Sequence, residues 1–208
     1  MKTKDKILRK ALELFNSDGY NIVTTRYIAK ELDISAGNLH YHFKHSREII
    51  SSLLLELIDK TEILMNSFKN ENILTILGLR EYLRAVFNLF FEYRFLFISY
   101  IDVFRDVPPL RDVFMKVYEK RENQFFEIVK IFQRIEIFKH DVPMKLIKSV
   151  ISQVFVIADC YIIHNQMTKR NSQDEAINHY LQITLDLFLP LLVAEHEQEY
   201  IEKYLLQS

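Results

Sequence analysis

The chain has 208 residues, and its 49 % hydrophobic content is enough for a sizeable core, which excludes wholesale disorder. With only 3 glycines and 4 prolines it has few turns, and its many Leu, Ile, Phe, Lys and Glu residues point to an all-α protein. Net charge is −1, but residues 1–47 carry nine Lys/Arg against five Asp/Glu, so a basic head precedes an acidic remainder and suggests an anionic partner for the head.

The N-terminus, MKTKDKILRK, lacks the long apolar run of a signal peptide. Ile7, Leu8, Ala11, Leu12, Leu14 and Phe15 fall at helical spacing and predict a first helix over residues 3–18, closed by Asp18-Gly19. Thr24-Thr25 ahead of Ile28, Ala29 and Leu32 reads as a cap and a short second helix. Asp33-Ile34-Ser35 breaks it, and a third short helix follows from Ala36 to about His42. From Ser46 a long apolar pattern runs through Ile49, Leu53, Leu57 and Leu64. Two short helices joined by a tight turn form a helix-turn-helix. The expected boundary therefore falls near residue 46, between a small helical domain of 1–46 and a larger helical domain of 47–208.

The rest also reads as helical. Residues 73–104 are rich in Leu, Phe and Tyr, and Pro108-Pro109 interrupts the chain. Helices are predicted from Leu110 to about Phe138, from about Pro143 to Met167, and from Asp174 to about Glu195 after an Asn171-Ser172-Gln173 loop, with a kink at Pro190. A charged, amphipathic tail spans 196–206. No run of 18 uncharged apolar residues occurs, so no membrane span is expected. The single cysteine, Cys160, excludes an intrachain disulfide and any zinc site built on several thiolates, and fits a reducing compartment such as the cytoplasm.

Residues 34–50, ISAGNLHYHFKHSREII, hold three of the seven histidines. His40 and His42 lie two apart, roughly 200° around a helix, so they cannot share a metal ion from one helical face. His45 lies beyond the predicted helix end. A nucleic-acid contact fits better. The second helix of such a pair enters the major groove, and its first residues here are Ser35, Ala36, Gly37 and Asn38, small or hydrogen-bonding. His40, Tyr41 and His42 offer polar tips to phosphate oxygens, and Lys44 and Arg47 add charge. Thr24 and Thr25 cap a helix and can also hold a phosphate, while Arg26 beside them is either a further contact or a solvated arginine.

TTRYIAKELDISAGNLHYHFKHSREII resembles the DNA-binding segment of the TetR family of bacterial transcriptional regulators. The matching positions are Thr24, Ile28, Ala29, Ile34, Ser35, Gly37, Leu39, His42 and Phe43. Ala11, Leu14 or Phe15, Gly19 and Tyr20 resemble the end of the family's first helix. The resemblance covers about residues 4–58. His40 departs from the pattern by standing where the family has tyrosine, and Ser46 by standing where a lysine opens the fourth helix, with Arg47 one residue later.

The resemblance implies a regulator that binds a roughly palindromic double-stranded operator as a homodimer, commonly as a repressor, and senses a small molecule of unknown identity through its C-terminal part. It also implies a four-helix dimer interface built from the helices near 144–167 and 174–195, which are apolar over more than one stripe. Phe87, Phe91 and Phe95 belong to a dense aromatic series that reads first as helical core and second as the lining of a ligand pocket, with Asp102, Arg105, Cys160 and His164 as polar groups there. No cofactor, metal site or catalytic residue is expected: no Ser-His-Asp set, phosphate loop or HExxH stands out. The alternative is an all-helical enzyme or binding protein that has lost operator binding.

Overall fold

The computed structural model describes residues 2–70, 74–168 and 172–205, with side chains of 69 and 70 left aside. Asn171 of the expected loop, Ile73 at the start of the aromatic-rich stretch and Leu206 at the end of the tail lie outside the described residues. Those that are described form helices α1 (Thr3–Asp18), α2 (Thr25–Glu31), α3 (Ala36–His42), α4 (Ser46–Asn70), α5 (Ile76–Glu92), α6 (Arg94–Ile98), α7 (Tyr100–Asp106), α8 (Pro109–Arg134), α9 (Met144–Thr168), α10 (Gln173–Asp186) and α11 (Ala194–Tyr200). Among them there is no strand, only an isolated antiparallel bridge between Phe138 and Leu192. The all-α expectation holds.

The chain divides into two compact units, one of residues 1–62 with 89–114, the other of 63–88 with 115–208. In the first, α1 buries Ile7, Ala11, Leu14 and Phe15, one face at i, i+4, i+7 and i+8. Gly19 ends α1 at φ 88°, in the region glycine enters without a Cβ clash. Phe15 meets Phe95 of α6 at 5.0 Å between ring centroids. Asn16 lies beside this contact and reaches the break between α5 and α6. Its Nδ2 donates to the Glu92 carbonyl (2.8 Å), and its Oδ1 accepts from the Phe95 amide (3.1 Å). These backbone groups sit where one helix ends and the next starts, and so lack helical partners.

A polar cluster surrounds the same break. Tyr93 Oη donates to Glu56 (2.8 Å), and Lys60 bonds Glu92 (3.0 Å) and Glu56 (3.2 Å). Burial disfavours the charge on Lys60, but hydrogen bonds to Tyr93, Glu92 and Glu56 outweigh it and hold the ammonium's pKa above its usual value. Burial, opposed by the hydrogen bond with Lys60, pushes the Tyr93 phenol up to about 12.

In the second unit, the end of α4 with α5, α8, α9 and α10 supplies the core through residues such as Phe68, Leu83, Phe132, Ile151 and Leu181. Tyr161, buried in α9, donates to the Phe87 carbonyl at 2.6 Å. The capping box of α10 pairs Ser172 with Glu175, satisfying two backbone amides.

Two predicted helices end early. The helix starting near Leu110 stops at Arg134, where Glu136 turns left-handed at φ 61°. The helix expected to run from 174 to 195 stops at Asp186, and Pro190, without an amide hydrogen, sits in a 3-10 turn. Both ends serve one tertiary contact: the Lys139 amide donates to Leu191 O (2.7 Å) and the Val193 amide to Ile137 O (3.0 Å). That pairing offers the backbone an alternative to continued helix, and helical periodicity in the sequence gives no sign of it.

By length and composition α9 is apolar enough to cross a bilayer. Its stripe of Ile147, Val150, Ile151, Val154, Ala158, Tyr161 and Ile162 is buried in the protein.

Candidate nucleic-acid interface

The interface is built by α2, the turn after it, α3 and the start of α4, all in the first unit. Thr24 caps α2 as its hydroxyl accepts from the Tyr27 amide (3.2 Å). Tyr27 Oη donates to Asp18 (2.8 Å), tying α2 to the end of α1. Hydrogen bonds from Ser17 and Tyr27 hold the Asp18 carboxyl below its ordinary value. Asp33 takes φ 52°, and the Ile34 amide closes back on the Ala29 carbonyl (3.0 Å). That one left-handed residue makes the turn short. Ser35 then caps α3 by accepting from the Asn38 amide (3.1 Å).

Ile28 and Ala29 of α2, Leu39 of α3 and Phe43 after it are buried, which fixes the rotation of both helices. The opposite side of α3 is left to solvent: Ser35, Ala36, Gly37, Asn38 and His40 are exposed, and Tyr41 is 85 % exposed. His42 is half-buried, with its ring edge-on to Tyr41 at 5.1 Å. Gly37 faces open space, since an added Cβ would meet only Ser35 Oγ at 3.9 Å. Arg26 is exposed at the start of α2.

Thr24, Thr25, Lys44, His45, Ser46, Arg47 and Glu48 line a groove of about 380 Å³. The Glu48 carboxylate accepts from the Lys44 amide (3.0 Å), and the His45 carbonyl accepts from the Glu48 amide (3.1 Å), so the loop entering α4 is held from within. Two permanent cations, a histidine and three hydroxyls against one carboxylate make this groove suited to an anion such as a phosphate diester. Sequence reasoning placed Lys44 and Arg47 beside α3 and the threonines on another helix. It did not see that they share one groove, nor that His45 lines it, because that depends on how α2 lies against the α3–α4 loop.

The seven residues read as a possible pocket fall in two places. Phe87, Cys160 and His164 belong to the second unit. Phe87 is fully buried against Tyr161 (4.8 Å between rings), Cys160 is exposed, and His164 is exposed with Nδ1 2.5 Å from Tyr180 Oη. Burial and, secondarily, Asp159 push the Cys160 thiol up, away from the reactive thiolate. Phe91, Phe95, Asp102 and Arg105 belong to the first unit. The Arg94 guanidinium covers Phe91 (4.9 Å), Phe95 packs on Phe15, and Asp102 pairs with Arg105 one turn away. Among the described residues, no group of three or more His, Cys, Asp or Glu could hold a metal ion.

Comparison with known proteins bears on the same regions. The family described as "Bacterial regulatory proteins, tetR family" matches residues 7–53, and that described as "Bacterial transcriptional repressor" (TetR) matches residues 60–200. The transcriptional regulator QacR of Staphylococcus aureus is 48 % identical over 54 residues, covering 26 % of this chain and 29 % of that protein. The probable transcriptional regulator YttP of Bacillus subtilis is 26 % identical over 131 residues, covering 61 % of this chain and 62 % of that protein. The chain thus matches less than two thirds of the length of either relative. The crystal structure of a TetR-family transcriptional regulator from Marinobacter aquaeolei VT8 superposes with a TM-score of 0.88 at 26 % identity, covering 97 % of both chains.

Proposed function

Since the chain belongs to the TetR family of bacterial transcriptional regulators, we propose that it is a cytoplasmic, ligand-responsive repressor that binds a palindromic operator as a homodimer. The observation that carries the reading is the pairing of an exposed, small-residue face on α3 with a cationic groove beside it. In this reading Ser35, Ala36, Gly37, Asn38, His40 and Tyr41 face base edges and the nearer phosphates. Thr24, Thr25, Arg26, His42, Lys44 and Arg47 hold the backbone. Residues 1–46 serve as the DNA-binding domain and 47–208 as the regulatory and dimerisation domain, with no catalytic role.

The homodimer has its own support. On α9, Val156 (61 % exposed), Cys160, Ile163 and Met167 (76 % exposed) recur at i, i+4, i+7 and i+11, an apolar stripe on the side away from the buried one. On α10, which packs against α9, Ile183 is also exposed. A second copy meeting these helices covers the stripe, and two heads spaced about 34–36 Å apart then reach successive major grooves. The effector is a small molecule that binds the DNA-incompetent state better, since only differential affinity shifts the equilibrium. Phe87 and His164 are the first positions to probe for it.

Selection of bound sequences from a random duplex pool tests the reading. A recovered palindrome supports the dimeric operator and sets its half-site spacing. No enrichment by folded, dimeric protein stripped of ligand by unfolding and refolding refutes DNA binding and favours an all-helical binding protein.

A further inference from the structure

His45 stands apart from the other residues of the groove: Lys44 and Arg47 are charged at every physiological pH, whereas an imidazole changes charge between about pH 5 and 8. It is exposed in the loop between α3 and α4, so protons reach it freely. The charged groups that line the groove with it are Lys44 from the same loop and Arg47 and Glu48 from α4. Helix α2 contributes only the hydroxyls of Thr24 and Thr25 there. The Glu48 carboxylate already accepts the Lys44 amide. In the free protein, therefore, His45 shares the groove with two permanent cations and one carboxylate that is already engaged.

A phosphate diester in this groove would add a doubly useful acceptor. It neutralises Lys44 and Arg47 and gives the imidazolium a partner for a charge-assisted hydrogen bond. We propose that His45 is a proton-dependent phosphate contact, so that DNA binding takes up a proton and tightens as pH falls. This rests on the reading of the groove as the seat of the DNA backbone. The sign follows from linkage. A group that holds its proton more tightly in the complex than in the free protein adds affinity that is fully present at acid pH. That affinity is lost as pH rises through the group's titration in the complex. One histidine contributes at most one proton, hence at most about tenfold in affinity per pH unit. In regulatory terms, the same effector concentration would release the protein from DNA more readily in an alkaline cell than in an acid one.

The test uses the full chain and a fluorescent 24-base-pair duplex of mixed sequence, because phosphate contacts do not depend on base identity. Binding anisotropy is measured at pH 6.0 and 8.0 over a series of salt concentrations for wild type, His45→Gln and His45→Lys. Histidines elsewhere contribute equally to wild type and to His45→Gln, so the difference isolates residue 45. The wild type's advantage over His45→Gln should grow about three- to tenfold from pH 8.0 to 6.0. Its salt slope should be steeper than that of His45→Gln by about 0.9 at pH 6.0 and equal to it at pH 8.0. His45→Lys should show the steeper slope at both pH values. Equal pH dependence in wild type and His45→Gln, with both binding DNA, overturns the role of His45 alone. Absence of duplex binding by the wild type at either pH overturns the groove reading beneath it.

Discussion

Replacing Asn16 by Ala removes a side chain that bonds both loose ends of a helix break. Its amide group donates to the Glu92 carbonyl at 2.8 Å and accepts from the Phe95 amide at 3.1 Å. A typical intramolecular hydrogen bond contributes about 1 kcal/mol net, and an unsatisfied buried backbone group costs about 1–3 kcal/mol. Asn16 is half-buried, so water can reach part of the vacated space and the lower figure applies. The two bonds together should be worth about 1–2 kcal/mol. For a chain of this size, about 1 kcal/mol shifts Tm by about 2–4 °C, which puts the expected drop at about 2–8 °C in a thermal melt followed by circular dichroism. The control is Ser17→Ala next door, an exposed hydroxyl that reaches Leu14 O (3.3 Å) and the Asp18 carboxylate, and it should stay within about 0.5 kcal/mol of wild type. A Tm for Asn16→Ala within about 1 °C of wild type would show that the break between α5 and α6 is held by other contacts, and would refute the reasoning.

Gly37→Glu should fold normally, because its Cβ meets nothing closer than 3.9 Å. Yet it should weaken operator binding at least about 30-fold, since like charges forced together cost several kcal/mol; normal binding would show that α3 is not the recognition helix. Arg47→Ala should weaken binding to every duplex about equally and lower the salt slope by about 0.9, as loss of one phosphate contact requires; a changed sequence preference would mean that Arg47 reads bases. Burial pushes the Asp159 carboxyl up to about 6, with Arg121 pulling the other way. The native state therefore holds a proton that the unfolded chain releases near pH 4, and this stabilisation, full below that pH, is lost as pH rises through about 6. Asp159 keeps some solvent exposure, which reduces the effect, so Asp159→Asn should gain about 1–2 kcal/mol over wild type at pH 8 and nothing at pH 4 in urea unfolding. An equal gain at both pH values would assign it to packing instead.

The head of the molecule was legible in the sequence because its signals are local. Thr24 and Ser35 cap the helices they precede, Gly19 stops α1, and the apolar spacing of Ile28, Ala29, Leu39 and Phe43 orients α2 and α3. Each is decided within about four residues, the reach of a helical hydrogen bond or a capping side chain. The face left exposed on α3 follows from the same pattern. What the sequence could not decide depends on partners distant in the chain. Helix α8 and helix α10 stop where Lys139 and Val193 pair with Leu191 and Ile137, and residues some fifty positions apart leave no periodic trace of such a pairing. Asn16 became a clamp only once the end of α5 met α1, more than seventy residues away in sequence. His45 joined Lys44 and Arg47 in one groove only because α2 lies beside the loop into α4. By itself the sequence determined the all-helical class, the helices of the head and which of their faces are apolar. Only the tertiary structure decided which polar side chains meet, because hydrogen bonds and charge pairs depend on distances of a few ångströms that long-range packing sets.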